Sequence, residues 1–362
     1  MQVIAERMTR NILFTIKINE FLELFVSKKG KNPTSNDVAR LAGVSQATVS
    51  RVLSGKGYTK EETKQKVMDA IEQLNYRPNA YARTLNNSRA NLIGILLPSD
   101  NYPIYLELLS HLVQACKAKG YTALLIPGEL NQGENYSITN LLQYKVDGII
   151  TASAHHKTNL YYECNLLGLP VVQVMRVDVD SDCSYAASDN FGAGELAASE
   201  MLKRNGQNFL YITGHLPSKT NDDRFNGFAS EIEHELGHRP ESLVSHFDYE
   251  ACKSSIRKRI KQQGVPDSVL CATDVIAYAF MDVVRFEFGY KVPEDIQVIG
   301  YDDLEQSSWS SYKLTSFRQN IKRLSNEAVS LLEQQINGQT DRVFNINVAA
   351  KLIERETLRK AT

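Results

Sequence analysis

Residues 45–51 read Ser-Gln-Ala-Thr-Val-Ser-Arg, a run of short hydrogen-bonding side chains ending in a guanidinium. Helical spacing sets Gln46, Ala47, Ser50 and Arg51 on or near one face, with Val49 and Leu53 turned inward. Such a face suits the edges of base pairs. An arginine donates two parallel hydrogen bonds to guanine in the major groove, while hydroxyls such as those of Thr48 and Ser50 suit backbone phosphate.

The elements that must carry this face are legible around it. Thr34 is placed to cap a first helix, with Asp37 three residues on to close a capping box. Val38 and Leu41 fall on one side of that helix, and Gly43 supplies the backbone freedom for a sharp turn. Ser45 is the natural N-cap of the second helix, running to Leu53. Thr59 and Glu62 repeat the capping-box signal for a third helix with a Val67, Ile71, Leu74 stripe, which Pro78 stops. Two short helices, a tight turn and a longer third helix make a helix-turn-helix module, and the partner it implies is duplex DNA. Thr34 and Ser45 complete the expected contacts within it.

Charge agrees. The chain of 362 residues carries a net charge of -1, yet residues 28–89 hold 12 Lys/Arg against 5 Asp/Glu, leaving 29 against 37 elsewhere. A basic stretch alone is usually a solvated helix face; coinciding with the helix-turn-helix pattern, it points to nucleic acid. Five scattered cysteines without Cys-x-x-Cys spacing argue against a disulfide framework or zinc site and for a reducing, cytoplasmic setting. No apolar stretch is long enough to span a membrane. Residues 1–30 mix Ile12, Leu13, Phe14, Phe21, Leu22 and Phe25 with charges that interrupt any signal-peptide core.

From Leu92 onward short apolar strands alternate with amphipathic helices: 92–97, 123–126, 148–151 and 170–174, then 209–213, 268–272 and 297–301. This alternation predicts an α/β body of parallel sheets covered on both faces, and two such series predict two lobes. Ligands of open α/β sheets bind beyond the carboxyl ends of the strands, so the polar residues there are the candidates. They are Asp100, Arg176, Thr273, Asp274, Asp302 and Gln319. Taken singly, each is more often structural: an aspartate after a strand commonly caps the next helix, and an arginine at a loop–helix junction is commonly a surface ion pair. No P-loop, Gly-x-Ser-x-Gly, His-Glu-x-x-His or Gly-x-Gly-x-x-Gly occurs. The seven histidines, His155 and His156 among them, show no metal-ligand spacing. An enzyme, a metal and a cofactor are not expected.

"DVARLAGVSQATVSRVLSG" followed by "LNYRPNAYARTL" resembles the lactose-repressor (LacI/GalR) family of bacterial transcription regulators, and the likeness continues through 33–362. The resemblance implies a headpiece at 31–77, a hinge helix and linker at 78–91, and an effector-binding and dimerisation domain at 92–362. That domain would be a type I periplasmic-binding-protein-like pair of lobes, about 90–189 with 319–348 and 190–318 with 349–362. Asn79, Ala82 and Leu85 would then contact DNA, Leu85 as a wedge opening the central base step of the minor groove; otherwise this stretch is an ordinary linker. The resemblance adds Arg224, in "DDRFNGF", as a grip on effector hydroxyls or carboxylates, and Tyr249 as a stacking aromatic. Many relatives carry Asn where this chain has Thr273. The family lacks a counterpart of residues 1–30, which are either sequence upstream of the true start, the favoured reading, or a real amphipathic addition.

The expectation is a homodimeric repressor of carbohydrate-utilisation genes, binding a palindromic operator under control of a sugar or sugar derivative. With the chain stopping at Thr362, no tetramerisation helix is expected. A regulator controlled by a protein co-effector, as in catabolite-control relatives, is the alternative; a sugar-binding protein without a DNA role is a weaker one.

Overall fold

In the computed structural model the chain divides into two compact units, Met1–Ser88 and Arg89–Thr362. The structure describes residues 33–54, 58–76, 89–98, 102–127, 144–152, 159–178, 182–214, 218–340 and 342–361. The extension at 1–30, Asn79, Ala82, Leu85 and Asp100 lie outside the described residues.

The first unit holds α1 (Ser35–Ala42), α2 (Gln46–Ser54) and α3 (Glu61–Gln73). Thr34 and Asp37 form the full capping box at the start of α1. Gly43 ends α1 in the left-handed region at φ 66°, its N–H reaching back to the carbonyls of Ala39 and Arg40. Val38, Ala39, Val49, Val67 and Ala70 are buried together, with Leu53, Ile71 and Leu74 packed around them.

Two local expectations change. Leu41 is 49% exposed, because the buried stripe of α1 runs through Val38 and Ala39. The N-cap of α3 is Lys60, with no side-chain cap. Glu62 pairs with Lys66 at 2.8 Å instead of reaching back to Thr59, and two carboxylates in the first turn favour the positive end of the helix dipole.

The second unit is built on two sheets. The first takes β1 (Leu92–Leu97), β2 (Thr122–Pro127), β3 (Gly148–Thr151), β4 (Val171–Val174), β5 (Ser184–Ser188) and β11 (Asn345–Val348), in the order β11-β5-β4-β3-β1-β2. The second takes β6 (Phe209–Thr213), β7 (Glu241–Val244), β8 (Ser268–Cys271), β9 (Gln297–Tyr301), β10 (Thr315–Arg318) and β12 (Lys351–Ile353), in the order β12-β10-β9-β8-β6-β7. All neighbours are parallel except β10 with β12. Strands such as β1, β3, β4, β6 and β8 are buried nearly end to end, as parallel strands covered on both faces must be.

Helices α4 (Ile104–Ala118), α5 (Asn159–Leu166), α6 (Asn190–Leu202), α7 (Lys219–Leu236), α8 (Tyr249–Gln263), α9 (Asp274–Asp282) and α10 (Ile321–Ile336) connect the strands. α9 runs on directly into a π-helical turn, Val283–Glu287. The chain leaves the first sheet after β5, returns after β10 and leaves again after β11. In each sheet the strand order reverses beside its first strand, β1 or β6, where α/β sheets open a crevice at their carboxyl ends.

Glycines set the approach of α6 and α7. A Cβ on Gly194 would stand 2.2 Å from the carbonyl oxygen of Arg224, and one on Gly227 would stand 2.0 Å from that of Phe191. The two backbones therefore touch, and Arg224 on α7 is fixed against the start of α6.

Candidate functional sites

The carboxyl ends of β4, β5, β6, β8, β9 and β10 bring several of the sequence candidates together. Asp302 follows β9 with φ 108° and Asp303 with φ 52°, two successive non-glycine residues in positive-φ space. Such a backbone costs on the order of 1–3 kcal/mol per residue and persists only when braced. The brace is visible: Asp303 pairs with Arg318 and Arg355, and the Asp302 N–H donates to the Phe317 carbonyl at 2.8 Å.

Thus presented, the Asp302 carboxylate accepts from Gln319 Nε2 at 2.6 Å and from the hydroxyl of Tyr102. Gln319 accepts in turn from Ser188 at 2.6 Å, at the end of β5. Tyr102 precedes α4 and packs on the core of the first sheet, as do Leu304 and Val275. The two lobes therefore meet around Asp302.

Arg224 is 8% exposed. Its Nη2 and Nε donate to Asn190 Oδ1 at 2.6 and 3.2 Å, and its Nη1 donates to the Ala272 carbonyl at 2.6 Å. Its guanidinium lies 3.2 Å from the centre of the Tyr301 ring. Arg176 follows β4 after a tight turn at Met175 (φ 63°), with its N–H 2.6 Å from the Val174 carbonyl. Its guanidinium lies 5.4 Å from the centre of the Phe247 ring. Phe247 covers Gly214 so closely that a Cβ there would fall 2.3 Å from ring atoms.

Asp274 does a different job. It is 0% exposed and accepts from the Leu304 N–H at 2.7 Å, the Ser307 hydroxyl at 2.8 Å and the Ser316 hydroxyl at 2.6 Å. These hydrogen bonds tie the end of β8 to the segment that follows Asp302 and to β10. Thr273, not Asp274, caps α9. The Tyr249 hydroxyl donates to Asp282, at the opposite end of α9 from Thr273. The aromatic beside Arg176 is Phe247, two residues earlier. Sequence reasoning also passed over Tyr102, Ser188, Asn190 and Tyr301. Only their positions at strand or helix ends signalled them.

Burial pushes the carboxyl of Asp302 up to about 6 and that of Asp274 to about 8, with hydrogen bonds opposing it in both and Arg224 opposing it at Asp302. A folded-state value above the unfolded one means that the native body holds the proton more tightly. This stabilisation is complete below the unfolded value near 4 and is lost as pH rises, through about 6 for Asp302 and about 8 for Asp274. Thermal melts at fixed ionic strength should therefore show a melting temperature that falls from pH 5 to pH 8. Asp302→Asn should flatten the part below about pH 6.5; an unchanged slope in that variant would contradict the assignment.

The outward face of α2 forms the second site. Ser45, Gln46, Ala47, Ser50 and Arg51 are exposed and Thr48 is half-buried. Ser45 Oγ accepts from the Thr48 N–H at 3.2 Å and lies 2.9 Å from its hydroxyl, so this pair fixes the first turn. Gln46 Nε2 reaches Ser35 at 3.4 Å. Thr34 spends its hydroxyl on the capping box, donating to Asp37 at 2.7 Å. The expected DNA-facing residues of α2 thus share a surface, while Thr34 orients α1.

Comparison with known proteins bears on both sites. A model of the lacI family of bacterial regulatory proteins matches residues 34–79, and a periplasmic binding protein-like domain model matches residues 198–358. The HTH-type transcriptional repressor PurR of Pasteurella multocida is 30% identical over 331 residues, covering 90% of this chain and 98% of that protein. The chain belongs to the lacI family. The ribose operon repressor of Lactococcus lactis is likewise 30% identical over 328 residues, covering 90% of this chain and 98% of its own. Among solved structures, the lac repressor dimer bound to operator and an anti-inducer shares the fold, with a TM-score of 0.83, 24% identity, and coverage of 91% and 100%. The transcriptional regulator CelR–cellobiose complex matches with a TM-score of 0.68, 26% identity, and coverage of 90% and 99%.

Members of this family are DNA-binding transcription regulators, and this chain is one rather than an enzyme. Its α/β body is of the type I periplasmic-binding kind. No helix among the described residues is long and apolar enough to cross a membrane.

Proposed function

We propose that the protein is a homodimeric repressor that binds a palindromic operator through α2 and is controlled by a sugar or sugar derivative held between its lobes. The observation that carries the effector half is the convergence on Asp302. A carboxylate on a strained, braced backbone is reached by side chains associated with both sheets. Hydrogen-bond acceptors and donors beside an aromatic face, here Phe247 with Arg176, suit a polyhydroxy ring. The names of the relatives and neighbours, a ribose operon repressor and a regulator bound to cellobiose, support the same class. The residues proposed to line the site are Arg176, Arg224, Phe247, Asp302 and Gln319, with Asp274 bracing the segment after Asp302.

Dimerisation is supported by the apolar side chains left outside the body. Leu106 (74% exposed) and Val113 lie on α4 and Leu125 on the sheet-edge strand β2, a combination that a second copy would cover. In the DNA half, Gln46, Ala47 and Arg51 read bases while Thr48 and Ser50 position the backbone. Selection from random duplex DNA should return a sequence with two inverted half-sites. Arg51→Ala should weaken binding to it about 10–100-fold, matching about 1–3 kcal/mol for a bidentate guanine contact, and relax choice at one position per half-site. A uniform loss across sequences would make Arg51 a phosphate contact. Recovery of no enriched sequence would remove the reading.

A further inference from the structure

One helix runs from the effector site to the place where the chain departs for the headpiece, and both of its ends are tied. At its start stand Gln319 and Asn320. Gln319 bonds Asp302 and Ser188, and Asn320 caps α10 by accepting from the Arg323 N–H at 3.1 Å. At its end, the first residue of the body takes hold. Arg89 Nη2 donates to the Ile336 carbonyl at 2.7 Å and Nη1 donates to Asn337 Oδ1 at 2.6 Å. Ile336 is the last residue of α10, so this cation answers one of the carbonyls a helix leaves unpaired at its negative end.

Between these ends α10 has no slack. Ile321, Leu324, Ala328, Val329, Leu331 and Leu332 are buried along it. It lies so close to β3 that a Cβ on Gly148 would fall 2.8 Å from Leu332. Lys119 ties its last turns to the end of α4 through Glu333 at 2.7 Å. A helix of 16 residues spans about 24 Å. The segment after Arg89 is held as firmly. The N–H groups of Ala90 and Leu92 donate to the Asp147 carboxylate at 3.1 and 3.0 Å, and β1 begins there.

We infer that Arg89 is a positioning residue for regulation, coupling the occupancy of Asp302 to the base of the interdomain linker through α10. The inference rests on the regulator reading above. A ligand that takes the Asp302 carboxylate from Gln319 changes the restraint on the first turn of α10. Because the helix moves as one packed element, the change arrives at Ile336 and is passed by Arg89 to the residues that carry the linker. Packed secondary elements whose arrangement both sites bias are one physical carrier of coupling between separated sites.

The test is hydrogen exchange on the full-length protein, read at the amides of Ala90 and Leu92, in Arg89→Ala, Arg89→Lys, Gln319→Ala and the Arg89→Ala/Gln319→Ala pair. Melting curves of each variant establish that it is folded. Arg89→Ala should raise exchange at both amides at least fivefold, and Arg89→Lys should recover part of the protection. The deciding variant is Gln319→Ala, which should also raise exchange there, although its site lies at the far end of α10. Added to Arg89→Ala, it should have no further effect. If Gln319→Ala raises exchange only around Ser188, Asp302 and the first turn of α10, Arg89 is merely a structural clamp and the inference is overturned. The readout needs neither DNA nor ligand, so failure of the repressor reading would appear separately, as absence of operator binding.

Discussion

Gly227→Ala should lower the melting temperature of the body by roughly 6–12 °C and abolish any effector response. The added Cβ would stand 2.0 Å from the Phe191 carbonyl oxygen and within 3.0 Å of two further backbone atoms. Backbone cannot rotate aside as a side chain can, so α6 and α7 must separate. Overpacking costs about 1–3 kcal/mol, and a rigid backbone neighbour places this case near the upper end. At roughly 2–4 °C per kcal/mol for a unit of this size, the stated shift follows. Function suffers because the same crossing holds Arg224 against Asn190. Calorimetry and ligand titration check the two halves. A variant that melts within 2 °C of the parent would show that the helices do not touch as described.

The second large effect concerns Asp274. Asp274→Ala leaves the Leu304 N–H and the hydroxyls of Ser307 and Ser316 without an acceptor in a place closed to water. Each orphaned buried donor costs about 1–3 kcal/mol, so a loss of about 4 kcal/mol is expected after relaxation. Asp274→Asn keeps one oxygen and should retain part of the stability, though its amide nitrogen cannot accept from the donors that face the other oxygen. Denaturant titration should show the order parent, Asn, Ala. A residue that bonded effector alone would leave stability in the absence of ligand untouched; equal midpoints for all three would restore that role to Asp274.

The contrast between Asp274 and Asp302 shows where the sequence is readable. Both are aspartates just past a buried strand, and their local signals are alike. What separates them is nonlocal: Ser307 and Ser316 surround Asp274, whereas Tyr102 and Gln319 reach Asp302 from elsewhere in the chain. The start of the helix-turn-helix unit was legible for the opposite reason, since the capping box of α1 and its glycine turn are encoded within a few residues.

Strands rich in Val, Ile and Leu were legible too. β5 was not, because Ser-Tyr-Ala-Ala-Ser carries no branched apolar residue although all five positions are buried. β10 was missed because Thr315 and Ser316 look like loop residues, yet both are buried and Ser316 serves Asp274. Tyr249 enters through the family resemblance alone, and nothing local in the sequence distinguishes it from Phe247, an aromatic two residues earlier. Only the path of the chain after β7 decides that Phe247 turns to Gly214 and Arg176 while Tyr249 turns to Asp282.

The central claim is that one protein joins duplex recognition to a small-molecule site. Fluorescence anisotropy on the selected operator, with sugars, sugar acids, sugar phosphates and purine bases added in turn, tests it most directly. Purine bases belong in the panel because a planar ring would also use the face of Phe247. Binding to the palindrome should be tight and salt-dependent and should shift at least tenfold, about 1.4 kcal/mol of coupling, with one compound of the sugar classes. A shift with a purine base alone would contradict the proposed effector class. Binding that no compound alters, but that a protein partner tightens, would replace the small-molecule site with a protein co-effector. Failure to bind any duplex at low salt, with residues 1–30 present or removed, would contradict the account at its base.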